Sequence, residues 1–532
     1  MSGNSKRENR EIPPASEPHR PERLANASGG KANANAVGKS DGSIVLTKSA
    51  NNVATEATAE PTEGRGPAEK NVEPASSLRT PSRTTRESRG LFGVREAARQ
   101  GRKLKFTALL HHVSEDCLRE AFYHLKKSAA VGVDGVTWQD YEQDLEARLT
   151  DLHGRIHRGA YRARPSRRVW IPKPDGRQRP IGIAALEDKI VQQAVLWVLQ
   201  AIYEQDFLGF SYGFRPSRGC HQALDALTVA IGTRQVNWVL DADLRGFFDT
   251  INHDWLIKFL EHRIGDQRVL RLIRKWLTAG VSEDGEWSET TVGTPQGAVI
   301  SPLLANVFLH YVFDLWIEWW RKHQARGDVV VVRYADDFVI GFEHHQEAQA
   351  CLEALGQRLA QFGLQLHADK TRLIEFGRYA IYRRRKRNEG RPETFDFLGF
   401  THYCAKRRQT GWFVVKRLSS RKRLLRTLAA IKDQLRRRMH CSLGENGRWL
   451  GRVVQGWLNY HAIPGNSARL SQFLQAVKQL WLQSLRRRSQ TGCIRWNWAR
   501  FARLVAHYLP TPQILHPSPF ARFHARFQAR AV

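Results

Sequence analysis

The run from Val329 to Phe342 constrains the fold of this chain more than any other stretch. It places Asp336 and Asp337 side by side between two apolar segments of high β propensity. The pattern predicts a strand, a tight turn and a returning strand, with both aspartates at or near the tip. In mid-strand two adjacent carboxylates would point to opposite faces, whereas at a tip both can reach one hard cation. Aspartate is also a common turn residue, so the run alone fits an ordinary hairpin equally well.

The charge of the whole chain indicates the class of partner. The 83 Lys and Arg residues outnumber the 52 Asp and Glu residues, which gives a formal net charge of +31. Such a field attracts polyanions, and because the apolar content is an ordinary 42%, nucleic acid is favoured over a membrane surface. A charge that serves only solubility is the alternative. The 16 Trp, 24 Phe and 12 Tyr suit both a packed core and base stacking.

Cysteine spacing and hydropathy indicate the compartment. The 6 Cys are scattered without a Cys-x-x-Cys pair, which argues against a disulfide framework and a zinc module and favours a reducing cytosol. No stretch reaches the roughly 18 apolar residues of a membrane span, and the N-terminus lacks the apolar region of a signal peptide. We therefore predict an intracellular protein without a membrane partner.

Composition divides the chain into three parts. From Met1 to about Gly90 there is no aromatic residue and no periodicity, which predicts disorder. From Phe92 to about Tyr403 the pattern is typical of a mixed α/β body, and beyond it of basic helices. Helices are predicted over 109–127, 141–152, 187–203, 221–231, 254–261 and 268–279, and a basic hairpin from strands 168–173 and 179–183.

A second acidic segment precedes the hairpin. An apolar strand that begins at Trp238 ends in Asp241 and Asp243, and Asp249 follows just beyond. One carboxylate from this strand end and two from the hairpin tip could converge across neighbouring strands. Such a cluster is too negative to be buried alone, and two Mg²⁺ ions would neutralise it. We assign Asp241 and Asp249 to capping or turn roles, and Asp243 to the cluster.

These motifs resemble those of reverse transcriptases. Asp243-x-x-x-x-Phe248 followed by Tyr334-Ala335-Asp336-Asp337 is similar to the catalytic palm motifs of that family. Further similar segments follow the family's order: Lys173 with Arg179, Ser211–Pro216 of the group II intron branch, Gly293–Gly297, Gly363–His367 before Lys370, and Phe397–Phe400. A looser similarity links Gly447–Asn466 to the maturase (X) domain of group II intron-encoded proteins.

The resemblance implies roles for the residues that match. Asp243, Asp336 and Asp337 would hold two Mg²⁺ ions, for which Mn²⁺ could substitute. Lys370 would be a general acid for the departing pyrophosphate, or else a solvated lysine at a helix end. The nucleotide would contact Lys173, Arg179, Leu244, Phe248 and Gln296. Template, primer or RNA would contact Arg215, Gly297, Lys422, Arg423, Arg436 and Arg437.

Two of these assignments have open alternatives. Lys173 and Arg179 would clamp the β- and γ-phosphates, for which arginine offers a bidentate fork, but a solvated hairpin face would carry the same cations. Phe248 would lie under the sugar and exclude a 2′-hydroxyl, or it would be a core aromatic.

The fold that the resemblance implies is an α/β (α+β) right-hand polymerase with an antiparallel palm sheet. We expect a disordered extension (1–92), an N-terminal region with the fingers (93–235), the palm (236–404), a helical thumb and maturase domain (405–500) and a basic tail (501–532). The segment after Trp498 is basic and rich in Pro, without paired Cys-x-x-Cys motifs, so we expect no HNH-type endonuclease.

The function implied is an RNA-directed DNA polymerase that also binds its group II intron RNA and promotes splicing and retrohoming. Its partners would be the intron RNA, a DNA target and primer, and dNTPs, in the bacterial cytoplasm and at the nucleoid. Oligomeric state is not predicted. A splicing cofactor without polymerase activity, or the reverse transcriptase of a retron, defence or diversity-generating element, are the alternatives.

Overall fold

The computed structural model describes residues 88–172, 178–283, 285–407, 409–489 and 496–528. All of the described residues belong to one compact unit of the chain. The disorder predicted for 1–87 and the cation predicted at Lys173 lie outside the described residues. Residues 88–92, also predicted to be disordered, begin a helix because Val94 and Ala98 anchor it in the core. This part of the predicted extension is therefore helical.

Helices make up most of the described chain and connect three small sheets. The helices are α1 Ser88–Gln100, α2 Glu115–His124, α3 Trp138–Glu142, α4 Leu145–His157, α5 Leu186–Asp206, α6 Cys220–Thr233, α7 Phe247–Thr250, α8 His253–Glu261, α9 Gln267–Thr278, α10 Ser301–Leu309, α11 Leu315–His323, α12 His345–Ala360, α13 Ala380–Lys386, α14 Arg421–Arg437, α15 Leu443–His461, α16 Ser467–Arg486, α17 Trp498–Tyr508 and α18 Pro519–Gln528. A 3₁₀ turn covers Leu110–His112, and a π-helical turn, His310–Asp314, joins α10 to α11.

The strands form a mixed sheet and two antiparallel ones. The strands are β1 Ser166–Pro172, β2 Gln178–Ile183, β3 Trp238–Asp243, β4 Val281–Glu283, β5 Glu286–Ser288, β6 Val329–Tyr334, β7 Asp337–Phe342, β8 Arg372–Glu375, β9 Phe395–Phe397, β10 Phe400–Lys406 and β11 Phe413–Ser419. The first sheet has the order β2-β1-β4-β5, with β1 and β4 parallel. The other two, β6-β7-β3-β8 and β11-β10-β9, are antiparallel throughout. The mixed α/β class is thus confirmed.

The sheet β6-β7-β3-β8 is covered on both faces. Alternate residues of β6 enter different cores: Val329 and Val331 pack with the helices of the larger core, whereas Val330 and Val332 pack in a second core beside α6 and β10. A strand buried on both sides reads as a continuous apolar run, which explains the valines of β6. The predicted hairpin is confirmed, with Tyr334 paired to Asp337 at its tip.

The helices predicted at 187–203, 221–231, 254–261 and 268–279 are confirmed, as is the basic hairpin β1–β2 outside its undescribed tip. The helix predicted over 141–152 is divided between α3 and α4. The helix predicted from Leu109 begins later, at Glu115. Asp266 captures the backbone N–H groups of Leu109 and Leu110 at 2.8 and 3.0 Å, and Ser114 then caps α2. These N–H groups are bonded to a carboxylate that is distant in the sequence, so the helix cannot begin at Leu109. The local sequence pattern gives no sign of this contact.

The C-terminal region differs from the basic tail we predicted for 501–532. Phe501 of α17 is fully buried, and its ring lies edge-on to Trp481 of α16 at 5.5 Å. Arg522 of α18 reaches back to Asp225 of α6, with 2.9 Å between Nε and Oδ2. Both helices therefore belong to the folded body. No helix in the described part of the chain is long and apolar enough to cross a bilayer.

Candidate active site

Three aspartates meet at one end of the sheet β6-β7-β3-β8. Asp243 is the last residue of β3, and it pairs directly with Asp337, the first residue of β7. Directly opposed residues of antiparallel strands carry their side chains on the same face, with Cβ atoms about 5 Å apart. Asp336 lies in the turn between β6 and β7. The three residues that the sequence singled out are thus brought together.

Asp336 is held in a partly buried, electrostatically strained position. Burial raises the pKa of its carboxyl to about 6, and the negative charge of Asp243 adds to the effect. The positive charges of Arg179 and Lys370 oppose the rise in this pKa. The charges of Asp243, Arg179 and Lys370 therefore all influence the pKa of this one carboxylate.

The carboxylate of Asp243 is engaged by a lysine. The Nζ of Lys370 donates to Oδ2 of Asp243, and the lysine side chain remains 57% exposed. No three Asp, Glu, His or Cys side chains in the described ranges are arranged so that they could together hold a metal ion. The donor set nevertheless fits Mg²⁺, because three carboxylates offer only hard oxygens and Asp336 carries a charge that its surroundings penalise.

Asp241 and Asp249 do not take the capping or turn roles that we predicted, because Asp241 lies within β3 and Asp249 lies inside α7, whose N-cap is Gly246. Asp241 is buried in β3, its closest cation is Arg372 at 3.5 Å, and burial raises its pKa to about 6. Asp249 is exposed in the short helix α7.

The loop Gly293–Gly297 connects the basic hairpin to the segment after β3. The backbone N–H of Gly182 in β2 donates to the carbonyl of Gln296 at 2.7 Å, and that of Thr294 donates to the carbonyl of Phe248 at 2.8 Å. Gly297 has φ +114°, and a Cβ there would lie 2.8 Å from the carbonyl oxygen of Gly182. A left-handed backbone this close to a strand admits only glycine.

Leu244 and Phe248 follow Asp243 in the chain, and Phe214 follows Gly213, which packs against the turn at Ala335. Phe248 is half-buried and lies edge-on to Phe214, with 6.3 Å between ring centroids. Phe214 is 41% exposed, has φ +59°, and was missed by the sequence reasoning. Leu244 is only 4% exposed and packs in the core. The predicted nucleotide contact of the Leu244 side chain is therefore corrected to a packing role.

Arg215, predicted to contact template, primer or RNA, is also corrected. Its side chain is 2% exposed and forms an ion pair with Glu204 at 2.9 Å. Its Nη1 donates to the carbonyls of Leu208 and Ser211, both at 2.8 Å. A guanidinium satisfied inside the protein cannot reach a phosphate, and the sequence motif gave no indication of this burial.

The cations predicted on α14 have two different environments. Lys422, Arg436 and Arg437 are exposed. Arg423 is half-buried instead, with its guanidinium carbon 4.9 Å from the ring centroid of Tyr460. A cation packed on an aromatic ring joins α14 to α15, so Arg423 has a packing role whatever else it contacts.

A second basic surface was not predicted. The helix α13 carries Arg383, Arg384, Arg385 and Lys386 in succession, beside Tyr382, which is 68% exposed. Arg384 pairs with Glu389 at 3.4 Å, whereas Arg385 and Lys386 are exposed to solvent. The run of four basic residues next to a tyrosine was the signal that could have found it.

Comparison with known proteins agrees with this geometry. The reverse transcriptase (RNA-dependent DNA polymerase) family matches residues 171–402. Protein YkfC of Escherichia coli (strain K12) is 36% identical over 275 residues, which cover 46% of this chain and 71% of that protein. The chain belongs to the reverse transcriptase family.

Two further relatives are named for introns. The group II intron-encoded protein LtrA of Lactococcus lactis subsp. cremoris is 35% identical over 207 residues, 38% of this chain and 34% of that protein. The putative COX1/OXI3 intron 1 protein of Saccharomyces cerevisiae is 33% identical over 215 residues, 40% of this chain and 25% of that protein. The matches thus span about a third or less of these two relatives.

Proposed function

We propose that this protein copies RNA into DNA at the site formed by Asp243, Asp336 and Asp337, and that it binds a group II intron RNA to assist splicing and retrohoming. The observation that carries the proposal is the direct pairing of Asp243 with Asp337, with Asp336 in the adjoining turn. This arrangement falls inside the segment that matches the reverse transcriptase family. A protein that only binds RNA has no use for three carboxylates facing a polyanion.

The aspartates would hold two Mg²⁺ ions, with Mn²⁺ as a possible substitute. Bound divalent metal supplies Lewis acidity, which favours ionisation of the primer 3′-hydroxyl and offsets charge on the leaving pyrophosphate. Side chains of the protein would bind and orient the nucleotide. Arg179, whose charge acts on Asp336, would hold the phosphates of the incoming dNTP. Phe248 would contact the sugar of this nucleotide, and Gln296 would contact the templating pair.

Lys370 would act as the general acid of the reaction. Its ammonium is paired with Asp243 and would have to leave that carboxylate when metal binds. Released, it can donate a proton from Nζ to the departing pyrophosphate. The lysine would thus balance the charge of Asp243 in the free protein and donate a proton once metal and nucleotide are bound.

The domain arrangement we propose is that of a right-hand polymerase. The β1–β2 hairpin would belong to the fingers, and the sheet β6-β7-β3-β8 to the palm. The helices α14, α15 and α16 share a third core and would form the thumb and maturase region. The turn at Leu398 and Gly399, between β9 and β10, would contact the primer.

The RNA partner would be bound mainly through phosphates. Lys422, Arg436 and Arg437 project from α14, and Arg385 and Lys386 from α13. Contacts of this kind release counterions, so affinity should fall steeply with salt. The DNA target and primer would use the site at the carboxylates.

Primer extension on an RNA template tests the proposal. Asp336→Asn with Asp337→Asn should abolish extension and leave splicing of the intron RNA largely intact. Asp369→Asn is the matched control, because Asp369 lies beside Lys370 but its side chain is 93% exposed. Extension that survives the double substitution would refute the site. A wild-type protein that supports splicing but never extends a primer would favour the cofactor alternative.

A further inference from the structure

A buried polar network lies directly behind the turn that carries Asp336. Arg333 is the residue of β6 before Tyr334, and it is 0% exposed. Because side chains alternate along a strand, Arg333 points to the face of the sheet opposite to Asp337. A guanidinium has five N–H donors, and each needs an acceptor when it is buried.

Every one of those donors has a partner. The Nε and Nη2 of Arg333 donate to the two carboxylate oxygens of Asp314 at 2.7 and 2.6 Å, and both side chains are 0% exposed. The second N–H of Nη2 donates to Oγ of Ser211 at 2.7 Å. The Nη1 donates to Oδ1 of Asn306 at 3.1 Å and to the backbone carbonyl of Ala335 at 2.9 Å. The last contact fixes the turn itself.

Ala335 needs such a restraint. Its φ is +58°, a left-handed conformation that costs a non-glycine residue energy. Gly213 packs against the same peptide, since a Cβ on Gly213 would lie 2.3 Å from the backbone nitrogen of Ala335. Asn306 donates from Nδ2 to the carbonyl of Gly213 at 2.8 Å. The turn is therefore bounded on one side by Gly213 and on the other by Arg333.

Fold stability alone does not explain this network. A fully buried Arg–Asp pair loses its hydration, and well-packed apolar residues in its place are often as stabilising or more so. Asp314 also ends a π-helical turn, a rare geometry that often marks functional sites. What an apolar replacement could not supply is a hydrogen bond to the carbonyl of Ala335.

We propose that Arg333 is a positioning residue, which holds Ala335 in its left-handed conformation and so keeps Asp336 and Asp337 beside Asp243, the three residues that would bind metal. The proposal rests on the function proposed above. It predicts that loss of the network weakens metal binding and the chemical step while leaving template–primer binding unchanged.

Two variants test it. Arg333→Lys keeps the charge but loses the fork. Arg333→Met combined with Asp314→Leu replaces the pair by apolar groups, so the chain keeps a packed core. For both we expect the Mg²⁺ affinity of the free protein, measured by calorimetry, to fall about tenfold or more. The kcat of primer extension should fall by about a hundredfold, as displaced catalytic groups do, with the KM for template–primer unchanged.

A second buried pair provides the control. Arg263 and Asp206 are 2% and 9% exposed, with 2.9 Å between Nε and Oδ2, and Arg263 donates to backbone carbonyls near α1. Arg263→Met with Asp206→Leu should change the melting temperature without changing Mg²⁺ affinity or kcat.

The proposal is overturned if the Arg333 variants bind Mg²⁺ and extend primers as the wild type does. It is also overturned if, at equal melting temperature, their losses of Mg²⁺ affinity and of kcat are no larger than those of the Arg263 variant. If the wild type binds Mg²⁺ but extends no primer, the proposed function fails, and the difference in Mg²⁺ affinity still decides this proposal. A wild type that binds no Mg²⁺ contradicts both.

Discussion

Lys370 and Asp243 form an ion pair that links the loop before β8 to the end of β3. The pair is partly exposed, with 57% of the lysine side chain and 21% of the aspartate side chain accessible. Partly exposed pairs contribute little to stability, about 0–1 kcal/mol. Breaking the pair so that Asp243 can bind metal and Lys370 can contact the nucleotide therefore costs little free energy. This suits the role that we propose for Lys370.

Replacing this lysine should separate chemistry from binding. Lys370→Gln removes the proposed proton donor and should lower the kcat of primer extension by about 10²-fold or more. The Mg²⁺ concentration that gives half-maximal rate should not rise, because the competing ammonium is gone. Pre-steady-state extension across a range of Mg²⁺ concentrations measures both quantities.

Lys322 supplies the matched control. It is 58% exposed and pairs at 2.7 Å with Glu318, which is 21% exposed, so it closely resembles Lys370 away from the site. Lys322→Gln should leave kcat unchanged. An equal loss in the two variants would show that the effect comes from net charge and not from proton donation.

The loop Gly293–Gly297 should tolerate no side chain at Gly297. In Gly297→Ala the new Cβ would lie 2.8 Å from the carbonyl of Gly182 and 3.0 Å from Ile181. The loop must move away from β2, and we expect the KM for dNTP to rise by about tenfold, since small displacements of positioning groups are costly. Steady-state kinetics with varied dNTP measures this.

Gly135→Ala controls for backbone strain alone. Gly135 also has a positive φ, +67°, but among the described residues no atom would lie within 4 Å of a Cβ at that position. Both variants place alanine at a positive φ, at a higher conformational cost at Gly297 than at Gly135, and only the Gly297 variant also meets a clash. A Gly135 variant with the same rise in KM would contradict the role of the loop.

The positions of the three aspartates could be predicted because they depend on local patterns. The apolar run before Asp336 predicted a strand, and the two aspartates predicted a turn. The antiparallel pairing of Val332 with Val339 agrees with both predictions. Asp243 could be added because another apolar strand ends there. These signals need only the period of a strand and the chemistry of a turn.

Burial of individual cations could not be predicted in the same way. Arg215 and Arg333 both stand in motifs that point to nucleic acid or catalysis, yet each is satisfied by acceptors outside its motif, Glu204 and Asp314 among them. A sequence shows that a charge is present, but its partner depends on the tertiary fold. The late start of α2 has the same origin, since Asp266 lies far away in the sequence and accepts hydrogen bonds from the backbone just before the helix.

The Asp266 contact gives a pH-dependent stability. Asp266 is buried at a cost, but hydrogen bonds from Arg268 and the backbone of Leu109 and Leu110 lower its pKa to about 2. A carboxyl with a lowered pKa binds fewer protons folded than unfolded, so its contribution is present above about pH 4 and is lost as pH falls toward 2. At pH 7 this contribution is on the order of 2 kcal/mol.

Asp266→Asn should therefore destabilise the protein at pH 7 and less so below pH 4. Urea unfolding of wild type and variant at pH 7, 5 and 3.5 measures the difference in the free energy of unfolding. That difference should stay constant from pH 7 to 5 and narrow at 3.5. A constant difference at all three pH values would show that packing, and not the charge, is responsible.

The exposed cations of α14 should determine how strongly RNA binding depends on salt. Replacing Lys422, Arg436 and Arg437 by Gln removes up to three phosphate contacts, and each contributes about 0.7–0.9 to the slope of log K against log salt. We expect the slope for intron RNA to become less steep by roughly two units. Extension of a short primer–template should persist, because the carboxylates and the β1–β2 hairpin are untouched.

A triple variant of paired cations is the control for net charge. Arg99, Arg274 and Lys322 each pair with a glutamate on the surface, so Gln at these positions removes the same charge from sites already neutralised. Filter binding at several salt concentrations compares the two variants. Equal slopes would mean that the RNA responds to the overall field of the protein, and α14 would then have no special place in recognition. A selective loss in the α14 variant, with splicing impaired and primer extension retained, would assign RNA binding to that helix and copying to the carboxylates.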